Sequence, residues 1–124
     1  MISGIHQVVL EVEDQGRALD FWTQAMGFEL VQDVRYGDER WLEVRTRDKA
    51  VTMVLSLRQG ERPTAPEMLP TSNIFFYCDD LPKTYEELRS RGVEFPEAAA
   101  EQPFGCWSMF EDPDGNRFAL APRE

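Results

Sequence analysis

Between Ile5 and Val12 apolar and polar side chains follow a two-residue period, with His6, Val8, Leu10 and Val12 on one face and Ile5, Gln7, Val9 and Glu11 on the other. That period predicts a strand. It then gives way to a helical one. Ala18, Phe21, Trp22, Ala25 and Met26 recur at three- and four-residue steps and form a single apolar stripe. Asp14 offers a cap ahead of the stripe, and Gly27 follows it where a left-handed closing residue is wanted. Three strand-like runs come next, Phe28–Tyr36, Arg40–Thr46 and Val51–Leu57. The polar turns between them, Gly37-Asp38-Glu39 and Arg47-Asp48-Lys49, are short enough for hairpins.

Residues 59–71 carry three prolines and no period, and form the one linker candidate. Beyond it the order repeats. Ile74–Cys78 is an apolar strand, Asp79 and Asp80 supply a cap, and Pro82 falls in the first turn of a helix, where a missing N–H is harmless. Leu81, Tyr85 and Leu88 make its stripe and Gly92 closes it. Strands are expected near Val93–Ala98, Cys106–Glu111 and Asn116–Ala121, the last two joined by the sharp turn Asp112-Pro113-Asp114-Gly115-Asn116. Gly27-Phe28-Glu29-Leu30 and Gly92-Val93-Glu94-Phe95 match at an offset of 65 residues. A long period present twice points to duplication of a unit, not to a solenoid. The predicted fold class is α+β, with two tandem βαβββ modules (about 1–58 and about 72–124) in a single domain spanning 1–124. One helix covers only one face of a four-stranded sheet, so two such sheets are expected to curl around a cleft.

Charge narrows the partners. Thirteen basic residues stand against 23 acidic ones, for a net charge of −10 and a pI near 4.5. Such a surface repels phosphate backbones and anionic lipids, which argues against nucleic-acid and membrane partners and favours a cationic small ligand. Acidity also serves solubility alone. Cys78 and Cys106 lack metal-site spacing and read as free thiols. The N-terminus lacks the basic-then-apolar pattern of a secretory signal, and no apolar run reaches the ~20 residues of a membrane helix. The expected location is cytoplasmic.

Gly4-Ile5-His6-Gln7-Val8-Val9-Leu10, Ala18-Leu19-Asp20-Phe21-Trp22 with Met26-Gly27-Phe28, and Asp112-Pro113-Asp114-Gly115-Asn116 together resemble the vicinal-oxygen-chelate superfamily of glyoxalases, bleomycin-resistance proteins and extradiol dioxygenases. Glu101-Gln102-Pro103-Phe104-Gly105 is similar to the bleomycin-resistance branch. The resemblance covers essentially the whole chain, and it is specific for the superfamily but only weakly so for any one activity. It implies a homodimer whose clefts are formed by both subunits. In the enzymes it also implies a divalent metal held by His, Glu or Gln from the first and last strands of each half. Carried over by position, the first ligand matches His6, its counterpart in the second half falls on Asn73, and the last-strand position falls on Ala119. Val51–Ser56 offers no carboxylate or imidazole. A catalytic divalent site needs about three protein ligands. His6, the only histidine, is thus the one weak metal candidate, and no cofactor is expected.

The expected ligand-binding residues are His6, Trp41, Asn73, Phe75, Tyr77, Phe104 and Trp107. Strand alternation would turn His6, Val8, Leu10, Asn73, Phe75 and Tyr77 toward one cavity. Phe104 comes from the resemblance, because bleomycin-resistance proteins carry a groove aromatic in that loop. The aromatics at alternate strand positions serve equally well as plain core. The expected function is metal-free binding of a small molecule, an antibiotic-like planar or cationic compound, with no catalytic residue. A metal-dependent lyase, isomerase or dioxygenase with an atypical ligand set around His6 stays open, as does an accessory domain with an empty cleft.

Overall fold

The computed structural model describes residues 1–61, 64, 69–96, 100–102 and 105–123. They fall into two compact units, Met1–Glu61 and Arg62–Glu124. The first runs β1 (Gln7–Val12), α1 (Gln15–Asp20), a π-helical turn (Phe21–Ala25), β2 (Glu29–Tyr36), β3 (Glu39–Arg45) and β4 (Thr52–Leu57). The second runs β5 (Phe75–Cys78), α2 (Leu81–Ser90), β6 (Ala100–Gln102), β7 (Gly105–Glu111) and β8 (Arg117–Pro122). Each unit is a four-stranded open sheet, ordered β1-β4-β3-β2 and β5-β8-β7-β6, with a parallel pair at one edge. This is the α+β class and the tandem βαβββ arrangement predicted above.

Both helices start on the same device. The Asp14 carboxylate accepts the Arg17 N–H at 3.0 Å, and the Asp80 carboxylate accepts the Lys83 N–H at 3.1 Å. Each satisfies an amide that has no partner within the helix. Both helices are followed by a glycine with positive φ, +77° at Gly27 and +87° at Gly92.

Between those matched ends the halves differ in length. Gly27 follows Asp14 by thirteen residues, whereas Gly92 follows Asp80 by twelve. The extra residue is absorbed by the π-helical turn, where the Met26 N–H donates to the Phe21 carbonyl at 3.0 Å across five residues. Thr23 helps, because its hydroxyl donates to the Leu19 carbonyl at 2.7 Å. The uniform helical spacing expected through Met26 is corrected accordingly, although Ala18 and Trp22 of the stripe are fully buried.

In the first unit the helix-covered face of the sheet presents Leu10, Val12, Leu42, Val44, Met53 and Leu55, all buried. Gln15 joins them, donating from Nε2 to the carbonyls of Arg40 (3.0 Å) and Leu55 (2.8 Å). In the second unit Phe110 lies 5.2 Å from Phe118 and 6.1 Å from both Phe76 and Phe95, and Phe95 packs edge-on against Tyr85 of α2.

The strand expected near Val93–Ala98 is not continuous. Among its described residues only Glu94 pairs, in an isolated bridge to Glu111, and Pro96 has no N–H to donate to a ladder. Residues 97 and 98 lie outside the described residues. The turn before β8 forms as predicted. The Asp112 carboxylate accepts the N–H groups of Asp114 (3.0 Å) and Asn116 (2.8 Å) and the Asn116 side-chain amide (2.9 Å), while Gly115 takes φ +82°.

Candidate functional site

Each sheet has one face covered by its helix and one face turned away from it. In the first sheet, strand register puts Gln7, Val9, Thr52, Val54, Glu43, Trp41, Gln32 and Val34 on the face turned away. Gln7 donates from Nε2 to the Thr52 hydroxyl at 3.0 Å. Trp41 is 38% exposed, and its indole Nε1 donates to the Glu43 carboxylate at 2.9 Å.

The expected facing of the first strand is corrected. Val8 and Leu10 sit on the covered face, where the apolar alternation ending in Val12 is used up as core. His6 precedes β1 and is exposed, and its carbonyl accepts the Thr52 N–H at 3.1 Å. The two cap aspartates stand 66 residues apart, so the position matching Asn73 is Gln7, not His6. That signal lay in the sequence: counting back from each cap gives the same seven-residue step.

In the second sheet the pairs Phe75–Ala119, Met109–Ala119 and Tyr77–Ala121 share the face turned away from α2. Trp107, Met109 and Ala119 are buried there as a small apolar cluster against Ala121. The Phe75 ring lies 6.3 Å from Trp107, tilted by 31°. Phe75 and Tyr77 remain 57% and 52% exposed, a large aromatic surface over a small base of alanines. Tyr77 already has a cation on its ring, the Arg123 guanidinium at 4.0 Å, which also pairs with Asp79 at 3.5 Å. Cys78 lies on the helix-covered side, where burial pushes its thiol up from the usual range.

The structure thus brings Phe75, Tyr77 and Trp107 together and places Trp41 on the face of the first sheet turned away from α1. Asn73 lies outside this alternation. It is an exposed residue ahead of β5 with φ +62°, its N–H donating to the Pro70 carbonyl at 3.0 Å. Phe104 lies outside the described residues. Glu43, Gln7, Thr52 and Gln32 are polar residues of the first sheet's face turned away from α1 that sequence reasoning did not single out.

The residues at the superfamily's ligand positions do not fit a catalytic divalent metal. The first unit offers the Gln7 amide beside Val54, and the second offers the Asn73 amide and Ala119. Among the described residues no three His, Cys, Asp or Glu side chains come together in a metal-holding group. No helix among them is long and apolar enough to cross a membrane.

Paired βαβββ units with open sheets define the glyoxalase/bleomycin-resistance fold class. The profile of the Glyoxalase/Bleomycin resistance protein/Dioxygenase superfamily matches residues 4–120, and the chain belongs to that superfamily. It is 36% identical over 121 residues to the uncharacterized protein YetH of Bacillus subtilis (strain 168), covering 97% of this chain and 98% of that one. Among solved structures it is similar to a member of the same superfamily from Sphaerobacter thermophilus DSM 20745, with 30% identity, a TM-score of 0.84 and 98% of both chains covered. It is also similar to TnmS3, an antibiotic binding protein from Streptomyces sp. CB03234, with 30% identity, a TM-score of 0.80, and 99% and 98% covered.

Proposed function

We propose that this protein binds a planar or cationic small molecule of antibiotic-like type, without a metal and without transforming it. The observation that carries the reading is the aromatic face of the second sheet. Phe75 and Tyr77 keep more than half their surface exposed beside the buried Trp107 and Met109. Exposed aromatic rings on a rigid sheet provide stacking area for a flat ligand, at roughly 0.5–1.5 kcal/mol per ring beyond area burial. Similarity to an antibiotic binding protein over essentially the whole chain supports the same class of ligand. The poor donor set at the superfamily's metal positions supports binding without a metal.

Calorimetric titration with bleomycin-type glycopeptides and related cationic drugs tests this reading. Saturable heat with at least one compound is expected, weakened about tenfold or more by Phe75→Ala. Absence of heat with every compound would remove drug sequestration from consideration. The protein is proposed to act as a homodimer, as the superfamily resemblance implies. Light scattering on the eluted protein should then give about twice the 14.3 kDa chain mass.

A further inference from the structure

Tyr77 and Asp79 stand two residues apart at the end of β5, and one cation serves both. The Arg123 guanidinium lies over the Tyr77 ring, 4.0 Å from its centroid, and its Nε stands 3.5 Å from the Asp79 carboxylate. An aromatic face with an anion beside it holds organic cations, because the ring quadrupole and the carboxylate attract the same charge. The chain fills that place with its own side chain. Its hold is light. The Arg123 and Asp79 side chains are 56% and 92% exposed, and water screens an ion pair that open. The Arg123 backbone is fixed separately, its N–H donating to the Cys78 carbonyl at 2.8 Å. The guanidinium can therefore leave by turning about its own side-chain bonds while β5 and β8 stay paired. Phe75, two residues back on the same strand face, continues the aromatic surface toward Trp107.

We propose that Tyr77 and Asp79 form the subsite for the positive group of the ligand, and that Arg123 occupies it in the unliganded protein as an internal competitor. The group is an amidinium, a guanidinium or an alkylammonium on a flat ligand lying against Phe75. It takes the ring and the carboxylate as the Arg123 side chain turns out to water. A site filled by the chain's own cation binds more weakly, in proportion to the fraction of molecules in which it stands open. All of these residues belong to the second unit. This inference rests on the small-molecule reading above, and it assigns the place and the charge of one ligand group.

Fluorescence titration with two planar probes tests it, the cation proflavine and the uncharged acridone. Arg123→Gln is expected to tighten proflavine about threefold to tenfold and to leave acridone within about twofold. Gained affinity cannot come from a misfolded variant. Adding Asp79→Asn to Arg123→Gln should remove the gain. Arg91→Gln, which takes the same charge from the opposite end of α2, should leave proflavine within about twofold of wild type. Proflavine affinity unchanged by Arg123→Gln overturns the competitor and leaves the binding reading standing. Equal gains for both probes also overturn it, since Arg123 would then merely cover the ring. An equal gain from Arg91→Gln does so too, because net charge alone would explain it. Failure of both probes to bind either wild type or Arg123→Gln counts against the binding reading as well.

Discussion

Gln15 is a polar residue at the start of a helix that nonetheless points into the core, where it holds two strand carbonyls, on Arg40 and Leu55. Removing the amide strands the Leu55 carbonyl without its donor. Gln15→Ala should therefore cost about 1–3 kcal/mol in denaturant unfolding, more than removal of an exposed glutamine such as Gln24. Cys78 gives a second check at this scale. Burial disfavours its thiolate and outweighs the hydrogen bond to Thr84, so its pKa is raised. Less thiolate at neutral pH means slower alkylation. Peptide mapping after iodoacetamide should show Cys78 modified more slowly than free cysteine at pH 8, with the rate still climbing as pH passes the normal thiol range. A rate equal to that of free cysteine would contradict the burial argument.

The elements were largely legible in the chain because each rests on a local signal: a cap aspartate, an apolar stripe, a closing glycine, a hairpin turn. What was not legible has physical reasons. The π-helical turn interrupts the even spacing of the stripe and shows in the sequence only as one surplus residue between Asp14 and Gly27. The strand expected after Gly92 is not formed at Phe95 and Pro96, because the alternation runs through Pro96, which has no N–H to donate to a ladder. If the π turn is a one-residue insertion, deleting exposed Gln24 should be tolerated within about 1 kcal/mol, because the chain beyond it stays in place. Deleting Glu86 from α2 has no such outlet. It swings Leu88 about 100° away from the core and should cost about 3 kcal/mol or more. Thermal melts of the two deletion variants decide between them; equal damage would refute the insertion account.

At the scale of the whole molecule, the site was less legible than the fold. Alternation alone grouped Phe75 with Tyr77, and the structure adds Trp107 to that face. It could not say which face of β1 a helix would cover, and so it favoured His6 and Leu10 over Gln7 and Val9. Glu43 was passed over because a charged residue in an alternating strand ordinarily faces water, and burial depends on neighbours distant in sequence. The chain is a superfamily member that keeps Phe75 and Tyr77 exposed on one sheet face, while its metal positions hold two amides and apolar side chains. The most direct test is calorimetry on protein stripped of divalent metal and dialysed free of chelator, titrated with those cationic drugs of the panel that do not themselves chelate metal. The account predicts saturable heat that is unchanged when Zn, Ni, Mn or Fe is restored. Heat that appears only after a metal is restored would contradict it.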